Sequence, residues 1–527
     1  MKNSAWLISF AAVGIAAGIG VSSVTVHIDP YMHYRKPLTD EYYYSLNNQR
    51  SQNDGITKHF DYDALITGTS MTENFRSSEF DKIFGVNSIK VPYSGGSFKE
   101  MNDNLIIALR THSNLKTIIR ALDRYGFVSD ADAMREDLGT YPTYLYDRNP
   151  FNDVQYLFNR DVLYSIDGSM YEGKKQGNAP GITSFDDYSN WMSAYTFGQK
   201  TVIPTMATTD DDTTSKSLSD EEKNTIKETV TKNVTSLADK YPNTQFYYFL
   251  PPYSATYFQS LKQFGRLRKE VDIEEYAASL IIPHKNIHLF TWNRFDLWDD
   301  LNNYKDTIHY ADWINSWMLV QMHNETGSLT EDNYKQVFEE EFDHYDTFDY
   351  NTLSEQEDYE ADYYAAGLLN KEITGMESLR IDKTYLQKTE LKNCEIVSDQ
   401  YNKSDGISCK GALVRESGSQ DTPAVAAYKG DYCGTRFSID ATDYRAVTFY
   451  GKKVTDNGQP SVYIYDESGN LLKSIEQSYP DIDNEWHQFA LSLEGIYGNV
   501  TIVMNGGYID NSGSAYSEYI FSDIMVY

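Results

Sequence analysis

Basic residues are scarce in this chain. Its 527 residues hold 46 Lys and Arg against 77 Asp and Glu, a formal charge of −31. Phosphate backbones are gripped by basic surface, so this balance excludes nucleic acid as a partner. It also disfavours docking onto polyanionic polymers and suits solubility in an extracytoplasmic or salty setting. Cysteine is scarcer still. Cys394, Cys409 and Cys433 lie towards the C-terminal end, at spacings that match no zinc site. Two alternatives stay open for them: one disulfide with a free thiol, or three buried thiols. No metal and no cofactor is expected.

What is present begins with an uncharged stretch. Residues 5–26 are apolar or small throughout. That is long enough to cross a bilayer as a helix, which takes about 20 residues. Secretory signals usually carry a shorter apolar core of about 7–15 residues. An uncleaved single-pass anchor over residues 1–28 is therefore expected, with the bulk of the chain extracytoplasmic. Val21-Ser22-Ser23 leaves a cleaved, secreted form as the alternative. A chain of this length exceeds one ordinary core, so two or three domains are expected after the anchor.

A tyrosine-rich juxtamembrane segment, 29–60, leads into alternating strand and helix patterns over 61–326. Strands are predicted at 63–68, 88–93, 117–123, 245–250 and 286–290. Ser97 with Glu100, and Ser219 with Glu222, have the spacing of capping boxes that open helices. A further helix is predicted over about 262–280, and a last one starting near His309. Strand–helix alternation predicts a parallel sheet with helices on both faces, and ligands beyond its carboxyl ends. An insertion at 128–216, which carries Trp191, is expected to fold locally as a lid or substrate wall. Residues 327–384 read as an acidic helical connector, and 385–527 as a β-sandwich of short strands divided by turns.

Two short motifs stand out. Ser70 follows the first strand in Gly68-Thr69-Ser70-Met71, and Asp306-Thr307-Ile308-His309 precedes the last helix. A serine nucleophile needs a histidine to take its proton, and that histidine needs a carboxylate to orient it. Thr72 stands where a nucleophile elbow would carry its second glycine, which argues against an ordinary α/β-hydrolase. Ser70, then Gly95-Gly96 after the second strand, then Asp306 and His309 instead resemble, in order, the blocks of SGNH (GDSL-like) hydrolases. The resemblance covers about residues 60–325. It is closest to membrane-anchored members of bacterial envelopes, similar to proteins of teichoic-acid D-alanylation and exopolysaccharide acetylation. The resemblance implies a flavodoxin-like sheet.

It also implies a Ser70–His309–Asp306 triad with an oxyanion hole from the N–H groups of Ser70 and Gly95 or Gly96. One departure matters. Many family members place an asparagine donor after the third strand, where this chain reads Ala121-Leu122-Asp123-Arg124. Losing one such donor typically costs about 10²–10³-fold in rate, so Arg124 is expected as a substitute. Tyr253 and Trp292, just beyond the fourth and fifth strands, are expected to touch substrate. In the C-terminal domain, which resembles carbohydrate-binding sandwiches, Trp486, Tyr508 and Tyr463 are the aromatics suited to stacking on sugars. The Asp510-Asn511-Ser512-Gly513 turn lacks the repeated acidic ligands of a calcium loop.

The expected function is serine acylesterase or O-acyltransferase chemistry on an acylated glycan or envelope polymer, with a membrane acyl-donor protein as a further partner. The competing expectation is a non-catalytic, membrane-anchored glycan-binding or scaffold protein.

Overall fold

The computed structural model describes residues 2–527 except 148, 176, 178, 357–378, 412–426, 429–431, 445, 456–460, 477–485, 494–495, 507–516 and 527. The chain divides into two compact units, Met1–Gln356 and Glu357–Tyr527.

The first unit opens with helix α1, Lys2–Ile28. Its residues Ala5–Ile28 are long and apolar enough to cross a membrane, and their apolar window is not buried inside the protein. Helix α2, Gln49–His59, follows. A mixed sheet then forms from β1 (Ala64–Gly68), β2 (Ser88–Pro92), β3 (Thr117–Ala121), β4 (Gln245–Phe249), β5 (Ile287–Phe290) and β6 (Ser328–Leu329). Its order is β2-β1-β3-β4-β5-β6, parallel except for the antiparallel edge strand β6. Leu65, Ile66, Ile89, Val91, Ile118, Ile119, Phe246 and Tyr248 are all buried. The first three strands are buried along their whole length, as a sheet covered on both faces requires.

Helices connect and cover these strands: α3 (Ser77–Phe84), α4 (Phe98–Thr111), α5 (Asp220–Val230), α6 (Ala255–Gln263), α7 (Leu267–Ile281), α8 (Asp312–His323) and α9 (Tyr334–Thr347). Both expected capping boxes form, Ser97 with Glu100 on α4 and Ser219 with Glu222 on α5. Each satisfies otherwise orphaned N–H groups at a helix start. The helix expected over about 262–280 is α7, Leu267–Ile281, and α6 precedes it. Gly265 adopts φ +70° between α6 and α7, a conformation that breaks the helical path. The helix expected near His309 starts at Asp312, which leaves His309 on the preceding loop, and α9 follows it.

The second unit is all-β in its described strands. One antiparallel sheet runs β7-β10-β15-β12-β13, from Glu390–Lys392, Gly434–Asp440, Asn499–Asn505, Ser461–Tyr465 and Leu471–Glu476. The other runs β8-β9-β16-β11-β14, from Cys394–Val397, Gly406–Gly411, Ser517–Val526, Ala446–Lys453 and His487–Ser492. Phe437, Ile464 and Ile502 of the first share one core with Ile407, Phe449 and Phe521 of the second. The two sheets therefore pack face to face. The three cysteines are free thiols, with Cys409 and Cys433 buried and Cys394 half-buried. Tyr508 and the 510–513 turn lie outside the described residues.

Candidate functional site

β1 ends at Gly68, and Ser70 opens a short 3-10 turn over Ser70–Thr72. The turn needs glycine before it. Gly68 has φ +151°, and a Cβ there would stand 2.5 Å from Thr72 Cγ2 and 3.0 Å from the Ala121 Cβ. From the far end of the unit, the loop before α8 brings His309 to the same place. Ser70 Oγ lies 2.8 Å from His309 Nε2. His309 Nδ1 lies 2.8 Å from Asp306 Oδ2 and 3.0 Å from Oδ1. Asp306 Oδ1 also accepts the backbone N–H groups of Ile308 and His309, at 3.0 and 2.8 Å. Burial pushes the Asp306 carboxyl up. The His309 ring and those two N–H groups outweigh it and hold the carboxyl below the usual aspartate range. A hydrogen-bonded chain Ser70–His309–Asp306 thus spans 239 residues of sequence at its first link.

The β2 loop lies beside it. Tyr93 N–H donates to the Gly68 carbonyl at 2.7 Å, which couples the ends of β1 and β2. Gly96 is excluded as an oxyanion donor, because its N–H is spent on the Tyr93 carbonyl at 2.7 Å in a tight turn. Gly95, at φ +60°, makes that turn. Among the described residues, the N–H groups of Ser70 and Gly95 have no protein acceptor. Gln49 of α2 bridges the two loops. Its Nε2 donates to Glu73, three positions after Ser70, and to Ser189 at 3.0 Å. Its Oε1 accepts from Ser94 N–H at 2.6 Å.

Arg124 is a correction. Its guanidinium is not free for an oxyanion. It donates to Glu274 of α7 at 2.6 Å and to Glu341 of α9 at 3.0 Å, and it lies over the Phe258 ring at 4.7 Å. A buried cation must find carboxylates, and these two helices supply them. Tyr253 is likewise no open contact surface: it is buried, and its hydroxyl donates to Asp123 Oδ1 at 3.1 Å. Trp292 is core, fully buried, with its indole N–H on the Thr326 carbonyl and its ring against Phe290 and Trp317. Trp486, in the second unit, is half-buried beside Tyr401, with the Lys452 ammonium 5.9 Å from its ring centre. Tyr463 is buried.

Sequence reasoning missed several neighbours of Ser70. Asp123 occupies the position of the expected asparagine and accepts from Thr69 Oγ1 at 2.8 Å as well as from Tyr253. Burial raises its pKa, while those two hydroxyls and the nearby His309 pull the other way. Trp191 of the insertion meets the His309 ring edge-on at 6.0 Å. Lys305 places its ammonium 4.0 Å from the Trp191 ring centre and 3.6 Å from that of Tyr195. Burial lowers the pKa of Lys305, against the pull of Asp306 and Glu73. Asp296, Asp299 and His344 also gather three ligand-type atoms within 4.8 Å, and a 3.2 Å bond between His344 and Asp299 accounts for two of them.

No family model matches the chain, and no curated protein matches it. Among solved structures, it is similar to a two-domain esterase active on acetylated mannans, at 8% identity, over 88% of this chain and 90% of that one, with a TM-score of 0.18. It is also similar to a family 6 carbohydrate-binding module at 12% identity, over 29% of this chain and 92% of that one, with a TM-score of 0.18. A carbohydrate-binding module from Clostridium stercorarium in complex with cellobiose is similar at 15% identity, over 29% and 92% of the two chains, with a TM-score of 0.17. Scores this low carry no argument about activity.

Proposed function

We propose that this chain is a membrane-anchored, extracytoplasmic serine acylesterase or O-acyltransferase of SGNH type, acting on glycans. The observation that carries the reading is the pair of 2.8 Å contacts from Ser70 Oγ to His309 Nε2 and from His309 Nδ1 to Asp306 Oδ2. The order β2-β1-β3-β4-β5 of parallel strands is that of a flavodoxin-like sheet, which supports the fold side of the proposal. Tyr401, Tyr450 and Trp486 form an aromatic group in the second unit, of the kind that stacks on sugar rings.

The chemistry follows from the contacts. His309 Nε2 takes the Ser70 proton as Oγ bonds to an ester carbonyl carbon. Asp306 keeps the His309 Nδ1 proton in place and stabilises the resulting imidazolium. The N–H groups of Ser70 and Gly95 are the donors for the oxyanion. The tetrahedral adduct collapses, His309 returns the proton to the leaving alcohol, and an acyl-Ser70 remains. Water then yields an acid, or a sugar hydroxyl yields a new ester, with His309 again as base. The test is acetate release from p-nitrophenyl acetate, with and without an added glycan acceptor. Wild type is expected to turn over and Ser70→Ala to be silent. Equal rates from both proteins would move the weight to glycan binding without catalysis.

A further inference from the structure

Between α4 and α5, the insertion sends a short helix, Val154–Leu157, against α1. The attachment is specific. Tyr156 is buried, its hydroxyl donates to Asp29 Oδ1 at 2.7 Å, and it accepts Tyr31 N–H at 3.1 Å. Asp153 accepts from Tyr34 at 3.2 Å and meets His33 at 3.4 Å. Thr25 Oγ1 of α1 donates to the Leu157 carbonyl at 3.2 Å. These bonds bolt the helix to the end of the apolar span. In and around it, large apolar side chains lie exposed among the polar Gln155, Arg160 and Asp161. Phe151 is 89% exposed, Val154 53%, Tyr164 66% and Phe158 47%. Single exposed apolar residues need no explanation, but four within one stretch, 151–164, whose helix packs on a membrane-length helix do.

Phe158 also reaches down α1. Its ring lies 3.9 Å from where a Gly18 Cβ would stand, and it lines a shallow groove with Ile15, Ile19, Ser22 and Arg35. A hydrocarbon core of about 30 Å takes roughly 20 residues at 1.5 Å each. Counted from Ala5, the first residue of the apolar span, that length ends near Val24. Gly18 then lies about 9 Å inside the boundary on the body's side, since six residues at 1.5 Å separate it from Val24. Interfacial helices bury their apolar faces about 5–10 Å deep, so the depth of Phe158 agrees with that class.

We infer that Phe151, Val154, Phe158 and Tyr164 form a wedge that enters the bilayer beside α1, with lipid as its partner. This rests on the reading of α1 as a membrane anchor, and it adds a second attachment that fixes the tilt of the unit over the membrane. The geometry holds whichever compartment the body occupies, because the wedge meets the end of α1 nearest the body.

The test uses the full chain in lipid nanodiscs, with a nitroxide on Phe151→Cys or Phe158→Cys. Phe10→Cys on α1 serves as the membrane reference, and Lys227→Cys on the exposed side of α5 as the aqueous one. Wild type labelled in parallel gives the background from half-buried Cys394. Relaxation by oxygen is compared with relaxation by a water-soluble nickel chelate. Labels at 151 and 158 are expected to favour oxygen, as position 10 does. If 151 and 158 follow position 227 while position 10 favours oxygen, the wedge is refuted and the anchor stands. If position 10 also favours nickel, the anchor reading fails and the wedge falls with it.

Discussion

Asp306 couples two tasks at one residue: it accepts two backbone N–H groups that shape its own loop, and it holds His309 Nδ1. Asp306→Asn keeps the shape but offers His309 an amide in place of a carboxylate. By analogy with other triads, kcat on p-nitrophenyl acetate is expected to fall about 10⁴-fold while thermal stability changes little. Gly68→Ala separates geometry from chemistry. The added Cβ meets Thr72 and Ala121, so Ser70 must shift. A displacement near 1 Å costs about 10²-fold, and that loss in kcat/KM is expected with every triad residue intact. Ser70, Asp306 and His309 were legible because each sits in a short local motif. Asp123, Gln49, Trp191 and Lys305 were not, because only tertiary packing brings them to Ser70. Lys305 had one local signal, its place directly before Asp306. Arg124 was misread because nothing near it in sequence reveals Glu274 and Glu341.

At the scale of elements, that arginine is a clamp. It joins the loop after β3 to α7 and α9 inside the unit, and burial raises the pKa of both glutamates against its pull. Arg124→Met leaves two carboxyls buried without their cation. A loss of about 3–5 kcal/mol is expected in denaturant unfolding at neutral pH, with kcat retained by the folded fraction. A loss of kcat with stability unchanged would restore an oxyanion role. On β2, Lys90 is fully buried, with its Nζ against the carbonyls of Glu73, Phe75 and Asp186. Burial lowers its pKa to about 7 from 10.5, with Asp186 and Glu73 opposing. Between those values the unfolded chain holds a proton that the folded chain lacks, so stability rises with pH across that window. The slope is up to about 1.4 kcal/mol per pH unit, and it vanishes below the folded value, where both states are protonated. The unfolding free energy of wild type minus that of Lys90→Met is expected to climb from pH 7 to 10; a flat difference contradicts a neutral buried amine. The capped helices α4 and α5 were legible from Ser-x-x-Glu spacing. The start of α7 was not, and it is expected about five residues early because Gly265 inside an apolar period reads as tolerated until its φ is known.

For the whole molecule, the first unit carries a helix long and apolar enough to cross a membrane, and the second, built on two antiparallel sheets, has its own core. The alternation of strand and helix signals separated these regions in the sequence. The antiparallel edge strand β6 escaped notice because two residues carry no period. Membrane attachment has its own check. The intact chain is expected to stay in the membrane pellet after alkaline carbonate washing, with peptides from residues 5–26 still present; a soluble product beginning after Ser23 would mean a cleaved signal. The central claim is that His309 activates Ser70, and fluorophosphonate labelling followed by peptide mass analysis tests it most directly. The account predicts a single adduct on Ser70 in wild type, slowed sharply in His309→Gln and absent in Ser70→Ala. An unlabelled wild type, or labelling that is indifferent to both substitutions, would contradict it.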